Sequence, residues 1–350
     1  MTEVTKGSLG PGEAAQPLSP ALARSSAFQP KPRARVFALN AERYGLLVIW
    51  ALVVVVFSIV LPHTYATAGN FSTIFGSQAP LMIVTLGLLI PLTAGDFDLS
   101  IASVLSLSAM TVAITNVNDH WNIAFSVLAG LGTGLVVGAI NGILVTSLDL
   151  DPFIVTLGTG TFAEGLVFGI SHSNTISGLA SPLVTLTNAN FLGIPREFWY
   201  ALVGVVLLWL ALQFTTWGRR LLFVGRNRNV ARLSGINVRR MRTGAFVLSG
   251  LVAAIAGIMY AGTTGSADPS SGQTFLLPAF AAAFLGMTTI LPGRFNAWGA
   301  FVAVYTLVSG ITGLELLGLS TFVQQLFYGA ALVVAIAAAR LIGRQRAMET

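Results

Sequence analysis

The chain has 350 residues, of which 54% are hydrophobic and only 9% charged. Soluble domains carry about 25% charged residues, so a soluble globular fold is excluded and an all-α polytopic membrane protein is expected. The formal net charge of +6 does not point to nucleic acid, because the basic residues lie between apolar segments, and the absence of cysteine removes disulfides, thiolate metal sites and Cys nucleophiles.

Residues 1–40 are rich in Pro, Ala, Ser and Gly and lack the apolar run of a secretory leader. They are expected to be a disordered cytoplasmic tail, followed by a transmembrane domain over 41–345. A spanning helix needs about 20 largely apolar residues. Ten segments qualify: 44–61, 78–94, 100–116, 122–147, 153–171, 198–214, 243–263, 277–291, 297–314 and 320–340. The second and eighth are short and carry Pro91 and Pro278, so tilted or broken helices buried in protein are expected there.

Positively charged residues collect on the cytoplasmic side. With the N-terminus inside, the inner intervals are 1–43, 95–99, 148–152, 215–242, 292–296 and 341–350. The outer ones are 62–77, 117–121, 172–197, 264–276 and 315–319. Of 19 Lys and Arg, only Arg196 then falls outside. Adding or removing one span would expose either 215–242 or the C-terminal Arg residues, so about ten helices with both termini cytoplasmic are expected.

Along the fourth segment Gly130, Gly134, Gly138 and Gly142 recur every four residues. Such small-residue faces let helices approach closely in lipid. Tight packing is the first reading and a sliding face for gating the second.

The interval 215–242 holds eight Arg and no Lys, Asp or Glu. Arg226 to Arg228 form a polar turn. Asn229 to Ser234 suit a short amphipathic helix that Gly235 ends. Two readings stay open from the residues alone: a topogenic loop on anionic lipid, and a short helix held outside the bilayer for a partner to grip.

Catalytic signatures are missing. No nucleophile elbow, metalloprotease helix or carboxylate pair in an aromatic cleft occurs, and the only two Lys, Lys6 and Lys31, lie in the tail, so no phosphate-binding P-loop exists. The three His, at 63, 120 and 172, sit apart at segment ends, so neither a metal site nor a cofactor is expected. If transport uses ATP, another chain hydrolyses it. Ionisable and polar residues within spans are the functional candidates. Glu164 either contacts a solute or pins packing. Asn141 either bonds between helices or lines a pathway. Asp98 or Ser100 can cap the third span, with Asp96 beside them. Asp149 and Asp151 form an inner loop before Pro152.

Four stretches, in order, resemble the ABC-type permeases for ribose, xylose and related sugars. TAGDFDLSIAS (93–103) is similar to that family's Asp-Leu-Ser segment. NGILVTSLDLDPFIVTLGT (141–159) is similar to its Phe-Ile-x-Thr-Leu-Gly stretch, WGRRLLFVGRNRNVARLSGINV (217–238) to its loop ending in Ser-Gly-Ile, and FVLSGLVAAIAGIM (246–259) to its Ser-Gly…Ala-Gly-Ile span. The resemblance covers about residues 45–340. It implies a permease subunit of an ATP-driven importer for a monosaccharide or similar polyol. Two ATPase subunits, an extracytoplasmic solute-binding protein and a second permease, identical or homologous, are the implied partners beside membrane lipid. In that family the Ser-Gly-Ile loop couples to the ATPase. Carried over, this marks Arg219, Ala231, Arg232, Leu233, Ser234 and Gly235. The chain departs from the family at LGMTTILPGRFN (285–296), where glycines are usual, and at Glu164, where Arg before Gly is common. A nucleoside or other small solute is the alternative cargo. An ion-coupled secondary transporter is the alternative mechanism, and a membrane enzyme comes last.

Overall fold

The computed structural model describes residues 33–320 and 322–349, with side chains described over 43–320 and 322–338. The expected tail lies largely outside the described residues. The chain divides at residue 39, and of the first unit only the start of a helix, Arg33–Leu39, is described. The second unit, Asn40–Thr350, holds the helical bundle.

The elements in order are α1 (Arg33–Val60), α2 (Ala68–Ser77), α3 (Ala79–Thr93), α4 (Ile101–Ala113, continued by a π-helical turn at Ile114–Asn118), α5 (Ile123–Ser147), α6 (Pro152–Ser171), α7 (Ser181–Asn188), α8 (Arg196–Phe214), α9 (Thr216–Arg226), α10 (Arg228–Leu233), α11 (Val238–Thr264), α12 (Gln273–Gly286), α13 (Ala297–Leu316) and α14 (Phe322–Glu349). Eight helical stretches are long and apolar enough to cross a membrane, and α12 and the Phe322–Ala338 part of α14 are shorter apolar helices. Each of the ten segments marked in the sequence overlaps one of these. Their ends differ where tertiary structure decides. The second segment gains α2 ahead of it, giving one apolar stretch from Ala68 to Thr93. The eighth begins at Gln273 and ends at Gly286, rather than running from 277 to 291.

The centre of the bundle is α3. All fifteen of its residues are buried, as expected of a helix that is apolar on every side. Pro91 lies inside its last turn, where it can give no N–H to the Gly87 carbonyl. Helices α4, α8, α11, α12 and α13 pack around α3, and α1, α5 and α6 leave most of their surface uncovered.

The glycine seam of α5 lies on α11. A Cβ on Gly134 would stand 2.2 Å from the Gly250 carbonyl oxygen, and one on Gly250 would meet the Gly134 carbonyl at the same distance. Only hydrogen fits between these backbones, which is the close approach that small residues permit.

Contacts between loops respect the sides assigned from charge. At the Arg-rich end, the Ile290 N–H and the Thr289 hydroxyl donate to the Arg43 carbonyl, and Arg239 donates to Ser147 Oγ. At the opposite end, strands β1 (Ile176–Ser177) and β4 (Ser266–Ala267) pair antiparallel, and β2 (Asn190–Phe191) pairs with β3 (Ile194–Pro195). There too Thr175 donates to Asp268 at 2.7 Å and Asn188 Nδ2 donates to the Thr263 carbonyl at 3.0 Å.

Candidate functional site

The Arg-rich interval is more ordered than a loop. It folds as two helices, each with its own side-chain cap. Thr215 accepts from the Gly218 N–H to start α9, and Asn227 accepts from the N–H groups of Asn229 and Val230 to start α10. Helix α9 buries Gly218, Leu221 and Val224 and turns Arg219, Arg220 and Arg226 outward. Gly225 touches the end of α3 so closely that a Cβ would lie 2.0 Å from the Thr93 carbonyl oxygen. Short α10 ends before Gly235, whose φ of +78° suits glycine.

The six residues carried over for coupling separate by exposure. Ala231 is wholly buried, whereas Arg219, Arg232, Ser234 and Gly235 are exposed, and Leu233 is 89% exposed. A leucine left that bare at the tip of a basic platform is an apolar knob without a socket among the described residues.

This platform is tied to the bundle by one carboxylate. Asp96, in the turn between α3 and α4, has no exposed side-chain surface. Arg242 of α11 grips it with two bonds of 2.8 Å, Nε to Oδ2 and Nη2 to Oδ1. Arg228 at the start of α10 donates to the same Oδ1 at 2.6 Å and to the Gly95 carbonyl at 3.1 Å. The next residue, Phe97, stacks on Phe280 and Phe284 of α12, with ring centroids 6.3 and 6.4 Å away.

Deeper in the bundle, Asp98 and Asn141 belong to one polar network. Ser100 and Asp151 are the helix-start residues here, and they behave differently. Asp151 caps α6, accepting from the N–H groups of Phe153 and Ile154. At α4 Ser100 itself makes no side-chain cap. Asp98 instead accepts from the N–H and hydroxyl of Ser100 and, through Oδ2, from Ser249 of α11 at 2.8 Å. A tertiary partner, Ser249, is added to the local one. Asn141 donates to Ser100 Oγ and accepts from Thr159 Oγ1, so α4, α5, α6 and α11 are joined by hydroxyls and amides.

Glu164 is half-buried on α6 and accepts from Gln273 Nε2 at 2.8 Å. Gln273 begins α12 and was not marked in the sequence, since a lone Gln at a segment edge carries no signal. It helps line a cavity of about 370 Å³ together with Thr274, Leu277, Gln324, Gln325 and Tyr328. The structure therefore brings Asp98 and Asn141 together, places Glu164 apart from them, and sets the Arg-rich platform at one end of the bundle. Among the described residues no group of His, Asp and Glu could hold a metal ion.

The family described as "Branched-chain amino acid transport system / permease component" matches residues 70–336. The chain is 30% identical to the D-allose transport system permease protein of Escherichia coli over 321 residues, which is 92% of this chain and 98% of that protein. It is 31% identical to the L-arabinose transport system permease protein of Escherichia coli, covering 84% of this chain and 89% of that one. It is 31% identical to the ribose import permease protein of Bacillus subtilis, covering 81% and 88%. No solved structure matches the chain.

Proposed function

The chain belongs to this permease family, and from that premise we propose that it is the membrane-spanning subunit of an ATP-driven importer in a bacterial cytoplasmic membrane. Its cargo is a monosaccharide, received from an extracytoplasmic solute-binding protein. A second permease copy completes the pathway and two ATPase subunits bind the Arg-rich end.

The observation that carries the reading is Leu233. A short helix with an 89% exposed Leu at its tip, next to exposed Arg232 and following the exposed Arg219 of α9, has the form of a helix that docks in a partner's groove. Ala231, Ser234 and Gly235 serve it differently: Ala231 packs α10 on the bundle, and the two small residues behind the knob leave room for the partner. Asp98, Asn141 and Glu164 stand on the solute side of the mechanism, the first two fixing the helices that enclose the pathway. ATP binding drives transport only by favouring one permease state over another. A displaced α10 would pull Arg228, and through Asp96 the turn that holds Phe97.

Cargo follows from the relatives' names and from charge. The family description speaks of branched-chain amino acids, while the relatives carry allose, arabinose and ribose. An amino acid brings a carboxylate into the membrane and needs a cation there. The described Arg residues all sit at or near span ends, which favours an uncharged sugar.

The test is Leu233→Asp in the full chain, purified gently from its own membrane. The wild type should retain an ATPase subunit at near-equal amount, and the variant should lose it while inserting normally. An ATPase that stays bound to the variant would remove the docking assignment. Sugar uptake that survives ATP depletion but collapses with an uncoupler would replace the importer by an ion-coupled transporter.

A further inference from the structure

Depth within the bundle can be measured along the helices. A Cβ on Gly160 would meet the Ser100 Cα at 3.1 Å, so Ser100 lies level with Gly160, about 12 Å along α6 from Pro152. Ser106 is then about 9 Å further. The Gly272 N–H donates to Ser106 Oγ at 2.8 Å, and a Cβ on Gly272 would press on the Ala102 carbonyl. The segment after β4 therefore dips into the bundle, and α12 starts at about 21 Å in a hydrocarbon layer of about 30 Å. Glu164, about 18 Å along α6, is at the same depth and bonds to Gln273.

Helix α12 shows two faces. Pro278, Ala279, Ala281, Ala282 and Ala283 are buried. Gln273, Leu277, Phe280 and Phe284, spaced at helical intervals of four, three and four, share one stripe and are exposed or half-buried. The stripe is polar where it begins and aromatic about 10 Å lower, where Phe97 stacks on it. At the polar end the cavity of about 370 Å³ opens between α12 and α14, lined by Gln273, Thr274, Gln324, Gln325 and the apolar surfaces of Leu277 and Tyr328. Three amides at this depth have no reason to face lipid, where an unsatisfied polar group costs several kcal/mol.

We propose that this cavity, with Glu164 at its edge, is a solute-binding station of the translocation pathway for a neutral monosaccharide. The inference rests on the importer reading and adds the place where the solute stops. Amides and hydroxyls both donate and accept, which matches the alternating demands of a sugar's hydroxyl groups. Leu277 and the Tyr328 ring offer apolar surface to its C–H face. The volume lies within the range of small-molecule sites, about 300 to 1,000 Å³. Among the described lining residues none is charged, and Glu164 reaches the cavity only through its bond from Gln273, so the lining suits an uncharged sugar. Phe97, Phe280 and Phe284 lie between the station and the Arg-rich end.

The chain's lack of cysteine makes the test direct. Gln273→Cys and Gln325→Cys each place one thiol in the cavity, and Leu52→Cys, on the uncovered face of α1, gives the background at a surface away from it. Each full-length variant is expressed with the importer's other subunits, and right-side-out and inverted vesicles are treated with a water-soluble thiol reagent. Both cavity variants should react from at least one face, faster than Leu52→Cys. One of D-allose, L-arabinose, D-ribose or D-fructose, at about ten times its dissociation constant, should slow labelling about tenfold, and D-glucuronate should not. Labelling no faster than at Leu52→Cys, or labelling that no sugar slows, would overturn the station. Should Gln273→Cys fail to reach the membrane, Gln325→Cys on a separate helix carries the same test. Uptake in the same vesicles separates the two readings. ATP-driven uptake with unprotected thiols overturns the station alone, and wild-type uptake that ignores ATP overturns the importer.

Discussion

Arg242 and Asp96 form a two-bonded pair in which the carboxylate has no exposed side-chain surface and the guanidinium very little. The pair joins α11 to the turn between α3 and α4, across 146 residues of sequence. Arg228 adds a third bond from the basic platform. A buried pair of this kind is weak evidence of stability for its own sake, because desolvation offsets much of the attraction. Its value lies in what breaks when one member goes.

Asp96→Asn would leave Arg242 buried with its charge uncompensated. The expected loss is about 3 kcal/mol or more, seen as a lower melting temperature of the detergent-purified chain and poor recovery from the membrane. Arg228→Gln is different. Its side chain is 40% exposed, and solvent screens what it contributes, so a loss of about 1 kcal/mol or less is expected. If Arg228 carries motion from the platform, ATP-driven uptake by Arg228→Gln should still fall about fivefold or more at equal protein level. Unchanged uptake would make Arg228 a purely structural member.

Asp98, two residues on, should tolerate the same substitution. Its partners are the N–H and hydroxyl of Ser100 and the hydroxyl of Ser249, and among the described residues no cation reaches it. Asn keeps the shape, one carbonyl acceptor, and an amide that the Ser hydroxyls can accept from. Asp98→Asn should therefore cost no more than about 1 kcal/mol. Asp98→Leu strands the Ser249 and Ser100 donors and should cost about 1 to 3 kcal/mol. Comparing melting temperatures of the two neighbouring Asp→Asn variants checks the contrast, and equal losses would contradict it.

Much of this was legible in the residues. Apolar runs of spanning length marked every long helix, and glycine at every fourth position marked the packing face of α5, though not that α11 lies on it. Gly235 and the short helix before it were readable because caps and stops are local chemistry. Helix α9 was not, because its few apolar residues sit among arginines and the stretch reads as a polar loop by composition. The descent of 265–272 into the bundle depends on Ser106, far away in sequence. Asp96 with Arg242, and Glu164 with Gln273, are likewise meetings that only the packed chain creates. The capping reading of Asp98 covered only its local half: the carboxylate accepts from the Ser100 N–H at the start of α4, and Ser249 is a further partner that no local rule supplies.

The loops at the end opposite the Arg-rich platform carry a pH dependence of known sign. Asp268 is held below the usual carboxylate range, chiefly by the Ser270 hydroxyl, then by Thr175 and the Ser270 N–H. A carboxyl depressed on folding supports the folded loop above its ordinary pKa, and that support is lost as pH falls through the lower folded value. Pairing of β1 with β4 should be unchanged between pH 7 and 5 and loosen only below about pH 4. Hydrogen exchange at the β1–β4 pair would show it, and Asp268→Asn should remove the acid dependence. Loosening already at pH 6 would point to another group.

The α5–α11 seam gives a prediction with its own control two residues away. Gly134→Ala places a methyl 2.2 Å from the Gly250 carbonyl oxygen, and the obstacle is backbone, which cannot rotate aside. The two helices must separate or shift in register, so overpacking should cost about 1 to 3 kcal/mol. Gly132→Ala lies on the other side of the same helix with nothing within 4 Å, and Ala favours a helix over Gly by up to about 1 kcal/mol. It should be neutral or slightly stabilising. Melting temperatures of the two variants in the same detergent decide the matter: a lower value for Gly134→Ala alone supports the seam, whereas equal values would mean that α5 and α11 are not held at this distance.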